Sequence, residues 1–205
     1  METTIDKTAL YRIRYGLYVI TVRDGGRDTG CVVNSVCQLT SSPCRIAVTV
    51  NKANYTHDVI ASTRALNLNC IERTAPFALF QQFGFQSGRD ADKFGSMQRW
   101  RMKNGIAALT EHINAVMSLS VTDAVDMGTH TMFVCELTEA HVISDEKTMS
   151  YDYYQSDVKP KPQPKPEQKR GFVCKICGYI HEGDELPEDF VCPICKHGAD
   201  DFERL

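Results

Sequence analysis

The sequence predicts a mainly β protein: a barrel-type domain with short helices, then a spacer, then a small unit stapled by four cysteines. Three observations carry this. Residues 16–52 are rich in Val, Ile, Tyr and Thr, interrupted by turn residues, the pattern of successive strands. Residues 158–170, VKPKPQPKPEQKR, hold four of the chain's eight prolines. Residues 172–198 contain two Cys-x-x-Cys pairs, Cys174/Cys177 and Cys192/Cys195. The expected division is a domain over 1–157, a linker over 158–170 and a second domain over 171–205.

The elements follow in chain order. GLYVITVRDGGRDTGCVV reads as two strands joined at Asp24-Gly25-Gly26, since Gly accepts the backbone angles of a tight turn. In NKANYTHDVIAST, Thr56 is expected to cap a helix. Pro76 suits the start of the next helix, FALFQQFG. NAVMSLSVTDAV and THTMFVCELTEAHVI read as strands, and partial alternation in the second nominates Met132, Val134, Leu137 and Val142 for the core. This many strands in a domain of this length suits a barrel with closed edges.

Composition narrows the function classes. Hydrophobic residues make up 42%, enough for an ordinary core, and the net charge of -3 gives no sign of bulk nucleic-acid binding. No apolar run approaches the roughly 20 residues of a membrane span. The opening METTIDKTALYRIRYG lacks the basic and apolar regions of a secretory signal. The nine cysteines are therefore expected in a reducing cytoplasm, in metal or redox roles rather than disulfides. GGRDTG lacks the Gly-x-Gly-x-x-Gly spacing and falls in a turn, so no Rossmann fingerprint is present.

The linker alternates proline with Lys and Gln and has nothing apolar to bury. It should be an extended spacer, reaching on the order of 35–40 Å at about 3.1 Å per residue. Residues 159–170 carry five basic side chains and one acidic, whereas residues 171–205 carry three basic and eight acidic. Five of the acids, Glu182, Asp184, Glu185, Glu188 and Asp189, lie between the cysteine pairs. They form a solvated loop or a docking surface for a basic partner.

Cys174, Cys177, Cys192 and Cys195 have the spacing of a tetrahedral thiolate site. A unit of this size needs such a staple. Spacing alone suits zinc and iron equally. CKICGY followed by CPIC, with HEGDELPEDF between them and a terminal DDFERL, resembles the short rubredoxin domains carried by larger proteins. That resemblance implies one iron cycling between Fe(III) and Fe(II), with Phe172, Tyr179, Phe190 and Phe202 as an aromatic core. A zinc ribbon remains the alternative.

IRYGLYVITV, VVNSVCQLTSSPCRIAVTVNKANYTH, SGRDADKF, DMGTHTMFVCELTEAHV and MSYDYY together resemble successive motifs of the flavin reductase-like split-barrel family, nearest its flavoredoxin and ferric reductase branch. The resemblance implies a six-stranded split barrel, a homodimer and bound FMN. The residues suit a flavin: Asn34, Ser35, Cys37 and Ser41 beside a strand end for the ring edge, and Asn51, Lys52, Thr56 and His57, with Lys93, for the phosphate. His130 and Tyr151 match family positions that approach the isoalloxazine ring. Each has a plainer reading: a turn at Asn34-Ser35, a helix cap at Thr56 and His57, a core histidine at His130, surface charges at Lys52 and Lys93. Cys31, Cys44, Cys70 and Cys135 read as small core residues.

A flavin domain joined to a rubredoxin domain is similar to the high-molecular-weight rubredoxins. That resemblance implies NAD(P)H as electron donor and a flavodiiron protein reducing O2 or nitric oxide as acceptor. Two alternatives stay open: an FMN/iron shuttle reduced by a protein donor, and a zinc-ribbon binding module.

Overall fold

The computed structural model describes residues 5–95, 97–161 and 171–205, so most of the expected spacer, 162–170, lies outside the described residues. The larger part is built on one antiparallel sheet of seven strands. These are β1 (Tyr18–Asp24), β2 (Arg27–Val33), β3 (Val36–Ser41), β4 (Cys44–Asn51), β5 (Ala65–Ile71), β8 (Ile113–Asp126) and β9 (His130–Val142). Their order is β2-β1-β5-β8-β9-β4-β3. A short hairpin, β6 (Arg99–Arg101) with β7 (Ala107–Leu109), stands apart. Helices α1 (Tyr55–Thr63) and α2 (Phe77–Gly84) fill the long connections.

The sheet's outer strands, β2 and β3, are joined only by Asn34 and Ser35. Three peptide units span at most about 11 Å. The sheet must therefore curl until its two edges nearly meet at Asn34-Ser35. The edges do not pair with each other, so the barrel is split, with seven strands rather than the six expected and without closed edges. The split keeps a seam of backbone and polar side chains accessible where β2 ends and β3 begins.

Local sequence explains the elements. Gly25 and Gly26 take φ of 52° and 98° at the β1–β2 turn, a region that penalises any Cβ. The cap of α1 is Asn54, whose side chain accepts from the Thr56 backbone N–H at 3.1 Å, two residues before the expected position. Pro76 does precede α2, as its fixed φ favours. On β9 the buried set is Thr131, Phe133 and Cys135; Met132, Val134 and Leu137 are half-buried and Val142 is exposed. Met132, Val134 and Val142 are thus one residue out of phase with the buried set, whereas Leu137 is in phase with it and packs against the inner core.

Two apolar cores result. One joins Ile20, Val48, Leu66, Leu119 and Phe133 inside the sheet. The other packs Leu79, Phe80 and Phe83 of α2 against Val19, Ile113 and Val116. Tyr151–Tyr153 forms one helical turn, α3, continued as a wider turn over Tyr154–Val158. Tyr154 packs on Phe80, ring centroids 4.4 Å apart, and Val158 joins the same core. The folded body therefore runs through Val158. The C-terminal unit is a three-stranded sheet, β11 (Ile180–Glu182), β10 (Gly171–Cys174) and β12 (Phe202–Arg204), with β10 central.

Candidate functional site

The C-terminal unit presents its cysteines on two matched knuckles. Gly178 N–H donates to the Cys174 carbonyl at 2.8 Å, and Lys196 N–H to that of Cys192 at 2.9 Å. Cys174 N–H donates to Tyr179, and Cys192 N–H to His197, both at 2.8 Å. Each knuckle thus turns two sulfurs toward one point. The four sulfurs lie within 4.8 Å of one another. Cys174 to Cys195 and Cys177 to Cys192 are both 3.5 Å. Four thiolates about 2.3 Å from a central ion would sit about 3.8 Å apart, so the set fits one tetrahedral metal. The contact with Cys195 holds the Cys177 thiol well below its ordinary range and pushes Cys195 up; a bound metal would displace the protons that remain on these sulfurs. Phe172, Tyr179, Phe190 and Phe202 pack around the site with Ile176 and Leu186.

The barrel carries a cavity of about 460 Å³ at the seam where β2 and β3 converge. That is the size of a small-molecule site, about 300–1,000 Å³. Asn34, Ser35, Asn51 and Asn54 offer amides and a hydroxyl, and Tyr55 and Ser87 border them. Phe80, Phe83, Phe85, Tyr151 and Tyr154 supply flat apolar walls. Polar edge groups beside aromatic faces suit a ring system that is itself flat and polar at one rim. The remaining wall is the C-terminal unit itself: Ile176 and residues 193–197 line the same cavity. The metal knuckles thus abut the seam, with Cys195 in the lining.

Of the residues nominated from sequence, Asn34, Ser35, Asn51, His130 and Tyr151 converge on this cavity. The others lie elsewhere. Cys37 and Ser41 sit on the exposed strand β3, the Cys37 thiol donating to the Gln38 carbonyl at 3.3 Å. Lys52 pairs with Asp126 at 2.6 Å. His57 Nε2 shares a 2.9 Å hydrogen bond with Thr131 Oγ1. Thr56 is buried at the start of α1. Lys93 is 2% exposed and donates to the carbonyls of Gly30 (2.8 Å) and Phe83 (3.0 Å). It braces β2 against α2 and does not meet the cavity.

The sequence reading missed Tyr55, Ser87, Asp90, Tyr154 and Gln155, and the whole contribution of the C-terminal unit. Ser87 and Asp90 lie inside SGRDADKF, the motif that also holds Lys93. Burial, and then the neighbouring His197, hold the His130 imidazole below its ordinary pKa. It is neutral at neutral pH, its Nδ1 sharing a 2.8 Å hydrogen bond with Thr129 Oγ1.

A split antiparallel barrel with a seam cavity, walled by a four-cysteine unit, defines a class of two-part proteins: a small-molecule site beside a thiolate metal site. Comparison with known proteins makes this specific. The model for the flavin reductase like domain matches residues 10–161, and that for the rubrerythrin, rubredoxin-like domain matches residues 172–203. A high molecular weight rubredoxin of Moorella thermoacetica is 35% identical over 98% of this chain and 100% of that protein. A ferric-chelate reductase (NAD(P)H) of Archaeoglobus fulgidus is 37% identical, over 73% of this chain and 89% of its own. Among solved structures, an FMN-binding protein of Thermus thermophilus aligns over 70% of this chain and 79% of its own, with a TM-score of 0.62 at 19% identity. A flavoredoxin of Methanosarcina acetivorans aligns over 68% and 75%, with a TM-score of 0.60 at 18% identity. The chain belongs to the flavin reductase like family and carries a rubredoxin-like domain at its C-terminal side. It is an oxidoreductase with a flavin reductase-like fold and a four-cysteine metal site.

Proposed function

We propose that the protein is an NAD(P)H:rubredoxin oxidoreductase with its rubredoxin built in. Electrons would pass from NAD(P)H through FMN in the seam cavity to one iron held by Cys174, Cys177, Cys192 and Cys195, and on to a protein acceptor. One observation carries the reading: the second cysteine knuckle forms a wall of the barrel cavity. FMN, when bound, takes an electron pair as hydride and releases electrons singly, and a four-thiolate iron takes them one at a time.

The chain's own residues do the binding and aligning. Asn34, Ser35 and Asn51 are assigned to the polar ring edge, and Tyr151 and Tyr154 to the ring faces. The first turn of α1, with Asn54, Tyr55 and Ser87, is assigned to the phosphate, because backbone N–H groups at a helix start favour an anion. The neutral His130 offers an imidazole beside the ring without a competing charge. Residues 1–157 are read as the flavin domain, 158–170 as the spacer and 171–205 as the iron domain; the family matches over 10–161 and 172–203 support two domains, and the packing of Val158 moves the start of the spacer past it.

A nicotinamide donor is supported by the Archaeoglobus relative, itself an NAD(P)H enzyme by name. A flavodiiron acceptor is supported by the likeness to high-molecular-weight rubredoxins. The exposed acids Asp184, Glu185, Glu188 and Asp189 suit a basic face on that partner. A homodimer is supported by the exposed strand β3 and by Leu39, Val125 and Met127, large apolar side chains left at the surface. No helix among the described residues is long and apolar enough to cross a membrane, which is compatible with a cytoplasmic site of action. The test is anaerobic mixing of FMN- and iron-loaded protein with NADH or NADPH. Bleaching of the flavin band followed by the thiolate-iron band is expected. Absence of flavin bleaching with both nucleotides would leave only the shuttle reading. A metal content of zinc alone would end the redox role of the tail.

A further inference from the structure

Building on the flavin assignment above, we infer that Lys196, carried by the iron domain, is the cation of the FMN site. The docked iron domain then completes the flavin site electrostatically as well as serving as its electron outlet.

The backbone gives the first reason. The two knuckles use the same turn, closed by the same hydrogen bonds. The first places Gly178 at φ 78° and the second places Lys196 at φ 63°. A side chain is disfavoured in this left-handed region, where glycine is the default. The second knuckle forgoes the easier residue and keeps a lysine. Its Nζ makes no hydrogen bond or ion pair with any described residue, so no structural contact accounts for the choice.

The cavity gives the second. FMN brings a phosphate with a charge near -2 at neutral pH. Among the described residues that line the cavity, Lys196 is the one lysine or arginine, and the lining also includes the acid Asp90. The barrel's nearby cations are committed elsewhere. Lys52 is paired with Asp126 and Lys93 is buried on two carbonyls. Arg89 is held by Asp58 at 2.6 Å and lies over the Tyr55 ring. Without the iron domain, the barrel alone would face an anionic ligand with no lysine or arginine in its lining.

Flavin binding and docking of the iron domain are therefore coupled, and each strengthens the other. The test is titration of FMN into iron-loaded, flavin-free full-length protein, read by quenching of flavin fluorescence. Lys196→Gly removes the charge while giving the turn its preferred residue. It should raise the FMN dissociation constant about tenfold or more, the scale of a lost charge-assisted contact, while the thermal midpoint of the iron domain stays level or rises. Lys196→Arg should stay within about threefold of wild type. Added salt should weaken wild-type binding more than Lys196→Gly binding. Equal FMN affinity in wild type and Lys196→Gly overturns the inference and leaves the function reading standing. Failure of wild type to bind FMN at all overturns the function reading instead.

Discussion

The ammonium of Lys159 donates to the backbone carbonyl of Lys175 at 3.2 Å and to that of the next residue, Ile176. Lys159 directly follows the turn that packs Tyr154 and Val158 onto the barrel, while Ile176 lies inside the first cysteine knuckle and lines the cavity. One side chain therefore ties the barrel body to the metal unit. Lys159→Met keeps the aliphatic stem and removes the donor. A charged hydrogen bond contributes about 1.5–3 kcal/mol, so the equilibrium constant for docking should fall about tenfold or more. Small-angle scattering should show a larger radius with an unchanged iron spectrum. An unchanged radius would mean that docking rests on the apolar contacts alone.

Cys174→Ser tests the staple. Cys174 is 1% exposed at the centre of the small unit, which has few apolar residues beyond the ring of aromatics around it. Removing one ligand should abolish metal binding and melt the unit, since so small a core does not sustain itself. Calorimetry should lose one transition and keep the barrel's. FMN affinity should fall to the level of Lys196→Gly, because the melted unit no longer presents that cation. Retained metal at full occupancy would refute the assignment.

The strands, their turns and the four sulfurs were legible because each is a local pattern: β-branched runs, glycines at turns, cysteines separated by two residues. The phase of β9 was not, because both its faces are largely apolar and period two alone cannot choose between Met132 and Phe133. The site was legible where the chain is short between partners. Asn34 and Ser35 occupy the two-residue link that brings the sheet edges together, and they line the cavity. Lys52 and Lys93 show the limit: a cation in a family motif can equally serve Asp126 or two buried carbonyls, and only tertiary geometry decides. The iron domain's wall was illegible for the same reason, since docking across a spacer leaves no local pattern.

Asp28 is buried among three arginines. Its side chain is 1% exposed and lies 2.9 Å from Arg101, 3.0 Å from Arg23 and 3.6 Å from Arg99. It also accepts from the Ala107 backbone N–H at 3.3 Å, which joins β2 to the β6–β7 hairpin. Burial opposes ionisation, but Arg101, Ala107 and Arg23 outweigh it and hold the carboxyl below its ordinary 3.8. Asp28→Asn leaves three guanidiniums without their counter-charge and should cost about 3–5 kcal/mol. Because the folded pKa is depressed, this stability is present above 3.8 and lost as pH falls below it. Urea melts of wild type should therefore weaken in acid, and those of Asp28→Asn should show less of that weakening. Equal acid sensitivity would assign the effect to other carboxylates.

Lys93 predicts the opposite edge of the pH profile. Burial pulls its ammonium from 10.5 down to about 8. Below about 8 the folded protein carries a buried charge served, among the described residues, by two carbonyls. Above that the folded lysine is neutral while the unfolded one still binds a proton, so stability should rise with pH, by at most about 1.4 kcal/mol per unit. The buried thiols Cys31 and Cys70, pushed up to about 11, and Cys135, to about 12, act with the opposite sign once unfolded thiols ionise near 9. The informative window is therefore pH 8 to 9. Across it, wild type should gain stability relative to Lys93→Met, whose curve lacks this titration. Parallel curves would show that Lys93 stays charged throughout, with the Gly30 and Phe83 carbonyls sufficient to hold an ammonium in the core.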